Sequence, residues 1–185
     1  MQLPKKIVAI GPESTGKSSL CERLSRHFRS NWVPEYAREY LLTHGKDYRY
    51  EDLLIIAQGQ IALEEEITVQ QPVRSALFID TDMYVLKVWC EFVFGKCHDW
   101  ILSQIVSRKY DLYLLCNTDL PWEKDELREY PDTATREKLF HIYKDCMVNQ
   151  NTKWIEIAGD YESRWETAVA AVSALICGPE EEPEI

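Results

Sequence analysis

The amino-acid sequence predicts an α/β fold of three layers, in which a five-stranded parallel sheet lies between two layers of helices. Five short apolar runs are spaced along the chain, as buried parallel strands are. Patterns with helical periodicity separate them, which is the alternation expected of a doubly wound sheet. A glycine-containing segment at 11–18 joins the first apolar run to the first helical pattern, as phosphate-binding loops do.

The strands follow from continuous runs of apolar residues. The first run, Ile7-Val8-Ala9-Ile10, stands directly before the glycine-containing segment. Strands buried on both faces show such continuous runs instead of strict alternation. The predicted strands are 5–10, 32–33, 76–80, 111–115 and 153–157.

The helices follow from apolar residues spaced three and four apart. Leu20, Leu24 and Phe28 mark the first helix. The last helix has the clearest apolar face, made of Trp165, Ala168, Val169, Val172, Leu175 and Ile176. The predicted helices are 17–30, 35–43, 51–70, 82–94, 98–108, 134–150 and 162–176.

Residues 11–18 read Gly-Pro-Glu-Ser-Thr-Gly-Lys-Ser, a complete phosphate-binding loop. Its glycines permit backbone angles that turn successive N–H groups toward phosphate oxygens, and the next helix adds the positive end of its dipole. Lys17 can reach the β- and γ-phosphates, and Ser18 can bind the magnesium ion that bridges them. The alternative is a loop that only turns a strand into a helix. The residues predicted to hold ATP are Gly11, Glu13, Ser14, Thr15, Gly16, Lys17, Ser18 and Ser19.

Two carboxylates follow the third strand. Asp80 ends this strand, which is where phosphate-loop proteins place a magnesium-organising aspartate. Asp82 lies close enough to share the site and to accept a proton from an attacking hydroxyl, or else it caps the next helix. The predicted metal ligands are Ser18 and Asp80, and the predicted catalytic residues are Lys17, Asp80, Asp82 and Arg128.

A charged and aromatic segment follows the second strand, on the side expected to face the phosphate acceptor. Glu35, Tyr36, Arg38 and Glu39 are predicted to line that side, although surface ion pairs between them are an alternative. Tyr36, Trp89 and Trp122 are candidate walls for a flat ring, and an aromatic wall suits a cationic ring. Each of these aromatic residues could instead pack in the core.

Residues 117–136 interrupt the alternation of strands and helices. This stretch contains two prolines and many charges without a sustained apolar face, which predicts a lid over the phosphates. It carries Arg128, and Arg136 opens the next helix. A solvated surface loop is the alternative. Farther along, Asp160 follows the last strand, where it either meets the base of ATP or caps the last helix.

The composition limits the partners and the cellular compartment expected for this protein. The net charge of −10 argues against nucleic-acid partners and allows a small neutral or cationic ligand. The six cysteines follow no zinc spacing and predict reduced thiols. We find no apolar run of about 20 residues, the length that spans a membrane. The first strand begins too near the start for a signal peptide, so a cytoplasmic protein is expected. We expect one domain over 1–177, followed by an acidic, disordered tail at 178–185.

Five segments in this order resemble one family. They are Gly-Pro-Glu-Ser-Thr-Gly-Lys-Ser at 11–18, Pro-Glu-Tyr-Ala-Arg-Glu at 34–39, Phe-Ile-Asp-Thr-Asp at 78–82, Leu-Pro-Trp at 120–122 and Gly-Asp-Tyr at 159–161. The chain resembles the ribosylnicotinamide kinase domain of NadR-type NAD-salvage proteins from about residue 5 to 176. The resemblance implies a thymidylate-kinase-like fold with a lid. It also implies transfer of the γ-phosphate of ATP to the ribose 5′-hydroxyl of nicotinamide riboside.

The resemblance also implies residue roles. Lys17 and Ser18 would hold ATP and magnesium, while Asp80 and Asp82 would organise the metal and the acceptor. The residues that would line the nucleoside side are Glu35, Tyr36, Arg38 and Glu39. Arg128 and Arg136 would close over the phosphates.

The chain departs from the family pattern at two places. It has no His-x-Gly-His loop, so no adenylyl transfer is expected. Its lid reads Asp-Glu-Leu-Arg at 125–128, without the glycine that often follows the aspartate in the family. The remaining alternatives are a kinase of another nucleoside or vitamin alcohol, an ATP-binding regulatory protein, and a slow ATPase that acts on a protein partner. The sequence predicts no oligomeric state, and it leaves open which carboxylate aligns the acceptor hydroxyl.

Overall fold

A computed structural model describes residues 4–70 and 76–177. Its sheet has five strands, all parallel, in the order β2-β3-β1-β4-β5. The strands are β1 Lys5–Ile10, β2 Trp32–Val33, β3 Ala76–Asp80, β4 Leu112–Cys116 and β5 Trp154–Ile157. The predicted five-stranded parallel sheet is confirmed, since the first three strands have the predicted bounds and the other two start one residue later.

Each predicted helix is present. The helices are α1 Lys17–His27, α2 Tyr36–His44, α3 Tyr50–Gln70, α4 Met83–Phe94, α5 Asp99–Ser107, α6 Thr133–Val148 and α7 Tyr161–Cys177. The largest difference is at α1, which was predicted to reach residue 30. It ends earlier because Arg29 adopts a positive φ of 50°, which a right-handed helix cannot contain.

The three layers follow from the alternation of side chains along the strands. Ile7 and Ala9 of β1 face α1 and α7, whereas Val8 and Ile10 face α4 and α6. All five residues of β3 are buried, as the continuous apolar run predicted. A further apolar cluster joins α2, α3, α4 and α5 beside the sheet.

The topology places the phosphate-binding loop at the middle of the sheet. On one side of β1 lies β3, with β2 beyond it at the edge of the sheet. The last two strands of the chain, β4 and β5, lie on the other side of β1. Ligands of such sheets bind beyond the carboxyl ends of the strands at this reversal. Asp80 is paired with Ala9 in the β1–β3 register, so it lies at the same edge as the loop that follows β1.

Residues 117–132 connect β4 to α6 without a helix or strand, and residues 133–136 of the predicted lid form the first turn of α6. The expected acidic tail at 178–185 lies outside the described residues, and the single-domain boundary stays a prediction. Among the residues that the structure describes, no helix is both long and apolar enough to cross a membrane.

Gly59 provides a test of how α2 packs on α3. A Cβ atom at Gly59 would lie 2.1 Å from Cε1 of Tyr36, so the ring occupies the space above the glycine. Gly59→Ala should therefore lower the melting temperature, because overpacking costs about 1–3 kcal/mol while alanine returns only about 1 kcal/mol of helix propensity. In a Tyr36→Ala background the same substitution should raise it. A higher melting temperature for Gly59→Ala in both backgrounds would contradict this packing.

Candidate functional site

The phosphate-binding loop, residues 11–16, leaves β1 and enters α1 with a sharply turned backbone. Gly11 has a φ of 136°, and a Cβ atom there would lie 2.6 Å from the carbonyl oxygen of Cys116 on β4. Only glycine permits both the backbone angle and the close approach. Gly16 has a φ of 77° and begins α1 without a side-chain cap, which leaves the first N–H groups of the helix available for an anion.

Side chains within the loop bond to its own carbonyl groups. Lys17 Nζ donates to the carbonyl oxygens of Gly11 and Pro12 at 3.0 and 2.8 Å. Thr15 Oγ1 donates to the carbonyl oxygen of Pro12 at 2.8 Å. The ammonium group of Lys17 therefore lies across the loop, where it adds positive charge beside the open N–H groups.

Asp80 is a buried carboxylate at the end of β3. Only 1% of its surface is exposed, and neither carboxylate oxygen has a hydrogen-bond partner within range. Burial raises the pKa of Asp80, whereas the charge of Lys17 and the hydroxyl of Ser18 lower it. An unpartnered buried carboxylate next to a serine hydroxyl fits a magnesium site, because this ion is held by one or two protein oxygens together with substrate phosphates. No cluster of three or more metal-binding side chains exists in the described parts of the chain, so the phosphates would have to supply the remaining ligands.

Glu35 is held close to Asp80 by a buried glutamine that the sequence did not single out. Gln60 accepts a hydrogen bond from the backbone N–H of Tyr36 at 2.8 Å and donates to the carbonyl oxygen of Pro34 at 3.3 Å. Its Nε2 also lies 3.5 Å from the carbonyl oxygen of Asp80. Burial and the nearby charge of Asp80 raise the pKa of Glu35 to about 7.

Asp82 lies outside this arrangement. Its Oδ1 accepts from the backbone N–H of Tyr84, which caps α4, and its Oδ2 accepts from the hydroxyl of Tyr113 at 2.8 Å. Burial raises the pKa of Asp82 to about 7. Both oxygens are used within the core, so the geometry supports the capping alternative and gives no support to the expected catalytic role.

Lid residues contact the phosphate-binding loop through Glu13 and Ser14. The carboxylate of Glu13 accepts from the backbone N–H groups of Glu129 and Tyr130 at 3.0 and 2.6 Å. Ser14 Oγ accepts from the backbone N–H of Glu123 at 2.9 Å and from Arg128 at 3.2 Å. The lid therefore lies over the loop, with Arg128 directed at it.

A second contact joins the lid to the segment after β2. Arg38 donates from both terminal nitrogens to the two carboxylate oxygens of Asp125, at 3.2 and 3.1 Å. The lid thus bridges two elements that border the same space. That space is a cavity of about 330 Å³, a volume within the range of small-molecule sites of roughly 300–1,000 Å³.

Most of the predicted site residues line this cavity. Those brought together are Gly11, Glu13, Ser14, Thr15, Gly16, Lys17, Ser18, Ser19, Glu35, Arg38, Asp80, Trp89 and Arg128. Trp89 forms part of the wall, with its Nε1 donating to the hydroxyl of Tyr48 at 2.9 Å. The lining also contains Trp32, Phe92, Asp125, Glu129, Tyr130 and Tyr143, which the sequence did not single out.

Six predicted site residues lie outside the cavity lining: Tyr36, Glu39, Asp82, Trp122, Arg136 and Asp160. The ring of Tyr36 covers Gly59, and Glu39 is exposed on α2. Trp122 lies with its Nε1 3.5 Å from Glu13 Oε1, and Asp160 caps the first turn of α7 through the N–H of Ser163.

Arg136 was expected to close over the phosphates but is buried behind the loop. Its Nη2 donates to the carbonyl oxygens of Ser14 and Leu120 at 3.1 and 3.3 Å. Arg164, which the sequence did not single out, is buried in a similar way and donates to the carbonyl oxygen of Thr15 at 2.8 Å. No local pattern distinguishes it from any other polar residue near a helix start, so only the three-dimensional contacts reveal it.

Comparisons with known proteins agree with this architecture. The sequence profile described as an AAA domain matches residues 6–164. The trifunctional NAD biosynthesis/regulator protein NadR of Escherichia coli K12 is 28% identical over 177 residues, covering 93% of this chain and 43% of NadR. NadR of Salmonella typhimurium LT2 is 27% identical with the same coverage. The chain thus spans less than half the length of these curated relatives.

Solved structures show the same fold. A NadR protein in complex with NR superposes with a TM-score of 0.79 at 21% identity, covering 99% of this chain and 52% of that chain. Thymidylate kinase from Ehrlichia chaffeensis gives 0.57 at 12% identity, covering 91% of this chain and 98% of that chain. The resemblance read from the five sequence motifs and the predicted thymidylate-kinase-like fold are confirmed.

Glu13 provides a test of the lid contacts. Glu13→Ala removes the acceptor of two lid N–H groups, so the amide hydrogens of Glu129 and Tyr130 should exchange faster, by about tenfold or more. Residue-resolved hydrogen exchange by NMR measures this directly. Glu123→Ala is the matched control, because it removes an exposed lid carboxylate. Unchanged exchange at both amides in Glu13→Ala would contradict the assigned contacts.

Proposed function

We propose that this chain, which belongs to the AAA domain family, is an ATP-dependent kinase of a small nucleoside-like alcohol. The most specific form of the proposal is transfer of the γ-phosphate of ATP to the ribose 5′-hydroxyl of nicotinamide riboside, which gives nicotinamide mononucleotide. One observation carries it: the phosphate-binding loop opens into a cavity that holds two neighbouring carboxylates and an aromatic wall.

The nucleotide end of the proposed site consists of the loop and the start of α1. The open N–H groups and Lys17 would bind the phosphates of ATP. Ser18 and Asp80 would hold Mg²⁺, which when bound neutralises charge on the phosphate oxygens. Arg128, held above Ser14, would meet the negative charge on the transferring group.

The cavity as a whole is acidic and aromatic. Carboxylates of the lining outnumber its cations, with Glu13, Glu35, Asp80, Asp125 and Glu129 against Lys17, Arg38 and Arg128. Aromatic rings of Trp32, Trp89, Phe92, Tyr130 and Tyr143 supply flat surfaces. Negative charge together with aromatic faces favours a cationic ring, which nicotinamide riboside carries. A relative whose structure was solved in complex with NR supports this acceptor.

Glu35 is the proposed partner of the acceptor hydroxyl. It lines the cavity next to Asp80, whereas Asp82 does not. In the proposed reaction the hydroxyl oxygen bonds to the γ-phosphorus as the bond to the β-phosphate oxygen breaks. The hydroxyl proton passes to Glu35, and ADP leaves. The chain contributes mainly position and charge, as phosphoryl transfer requires.

Two aspartate variants test which of the carboxylates after β3 takes part in the proposed reaction. Asp80→Asn should lower acceptor-dependent ADP formation by about a hundredfold or more, the scale of losing one well-placed electrostatic group. Asp82→Asn should lower the melting temperature while leaving turnover close to wild type, because Asp82 caps α4 and contacts Tyr113. A coupled ADP assay and a thermal melt measure both. Equal loss of turnover in the two variants would assign a catalytic role to Asp82 as well.

The pH dependence tests the role of Glu35. Since its pKa is raised to about 7, the protonated form dominates at lower pH and cannot accept the hydroxyl proton. The kcat/KM for the acceptor should therefore rise with pH through about 7 in the wild type. Glu35→Gln should have a low kcat/KM that no longer rises with pH. Glu39→Gln is the control, because Glu39 is an exposed carboxylate on α2, and this variant should keep both the rate and its pH dependence. If kcat/KM of Glu35→Gln still rose with pH through this range, Glu35 would not be the group that accepts the hydroxyl proton.

A further inference from the structure

Arg164 joins three segments at the carboxyl edge of the sheet. Its Nη1 donates to the carbonyl oxygen of Thr15, its Nε to that of Gly159 and its Nη2 to that of Asn117, each at 2.8 Å. Asp119 provides an ion pair to the same guanidinium. Only 3% of the residue is exposed, and it does not line the main cavity. Burying a paired cation costs more folding free energy than burying an apolar side chain of similar size. Stability alone therefore does not account for an arginine at this position.

The contact with Thr15 fixes the orientation of one peptide group. The chain contains no cis peptide among its described residues, so the carbonyl of Thr15 and the N–H of Gly16 point in opposite directions. The carbonyl is bonded to Arg164 of α7, a residue outside the cavity lining. The N–H of Gly16 therefore points away from Arg164, and both Thr15 and Gly16 line the cavity.

Arg136 acts in the same way on the preceding peptide. It donates from α6 to the carbonyl oxygen of Ser14 at 3.1 Å. The N–H of Thr15 belongs to the same trans peptide group, so it points away from Arg136. Two consecutive loop carbonyls are thus bonded to buried arginines from two different helices. Such a loop presents its N–H groups before a ligand arrives, and preorganised donors bind an anion without the cost of ordering them.

The geometry points to Arg164 as a positioning residue of the nucleotide site, one that sets the Gly16 N–H for a phosphate oxygen without touching the nucleotide. Asp119 forms an ion pair with the guanidinium, and Asp160 caps the helix that carries Arg164. The inference rests on nucleotide binding at the loop, which is part of the proposed function, and it does not depend on the acceptor.

Arg164→Lys tests this role against Arg108→Lys as a matched control. Arg108 is also largely buried and paired with Glu64 and Glu65, but it lies before β4, at the opposite edge of the sheet. Both variants keep the charge and lose the guanidinium. Calorimetry should show ADP affinity reduced about tenfold or more in Arg164→Lys, the scale of one charge-assisted hydrogen bond, and unchanged in Arg108→Lys. Adenosine affinity should stay at the wild-type value in both, because the loss concerns phosphate binding alone.

A second measurement separates positioning from general loss of stability. In Arg164→Ala, millimolar guanidinium chloride should restore ADP affinity, and the Gly16 amide should regain its ADP-induced NMR shift. Wild-type ADP affinity in Arg164→Lys would overturn the inference, as would equal losses for ADP and adenosine or for both lysine variants. Failure of the wild type to bind ADP would instead contradict the nucleotide part of the proposed function.

Discussion

The site depends on the backbone of residues 11–16 keeping one conformation. In the proposed function the phosphates are bound by N–H groups, and these can converge only if the peptide planes between them are fixed. Gly11 fixes one end of the loop, because its close approach to the carbonyl of Cys116 leaves no room for a side chain. Lys17 and Thr15 fix the carbonyls of Gly11 and Pro12. The buried arginines behind the loop fix the carbonyls of Ser14 and Thr15.

The lid and the acceptor cavity depend on the same loop. Glu13 and Ser14 receive hydrogen bonds from the lid, so the loop that would bind the phosphates also places Glu129, Tyr130 and Arg128 beside the cavity. The opposite wall is placed by Gln60, which keeps Glu35 near Asp80. Burial raises the pKa of both carboxylates, and the charge of Asp80 raises the pKa of Glu35 further. A cationic ligand in this space would relieve that repulsion.

Features set by local sequence could be predicted, and features set by distant contacts could not. The strands, the helices and the phosphate-binding loop follow from neighbouring residues, and Asp80 follows from its place at a strand end. Tyr36 was expected in the cavity, but nothing near it in sequence indicates that Gly59 makes room for its ring. Arg136 was expected over the phosphates because it is the last residue of the predicted lid. Its position at the start of α6 instead buries it behind the loop, where it bonds to Ser14.

The most direct test of the proposed reaction is to identify its product. The protein is incubated with ATP and magnesium, together with nicotinamide riboside, a common nucleoside, thiamine or no acceptor. Mass spectrometry then detects the phosphorylated product. The proposed function predicts nicotinamide mononucleotide and ADP in equal amounts with nicotinamide riboside, and little product with the others. Binding of ATP without any phosphorylated acceptor would contradict a kinase, whereas product from another acceptor alone would contradict the assignment of nicotinamide riboside.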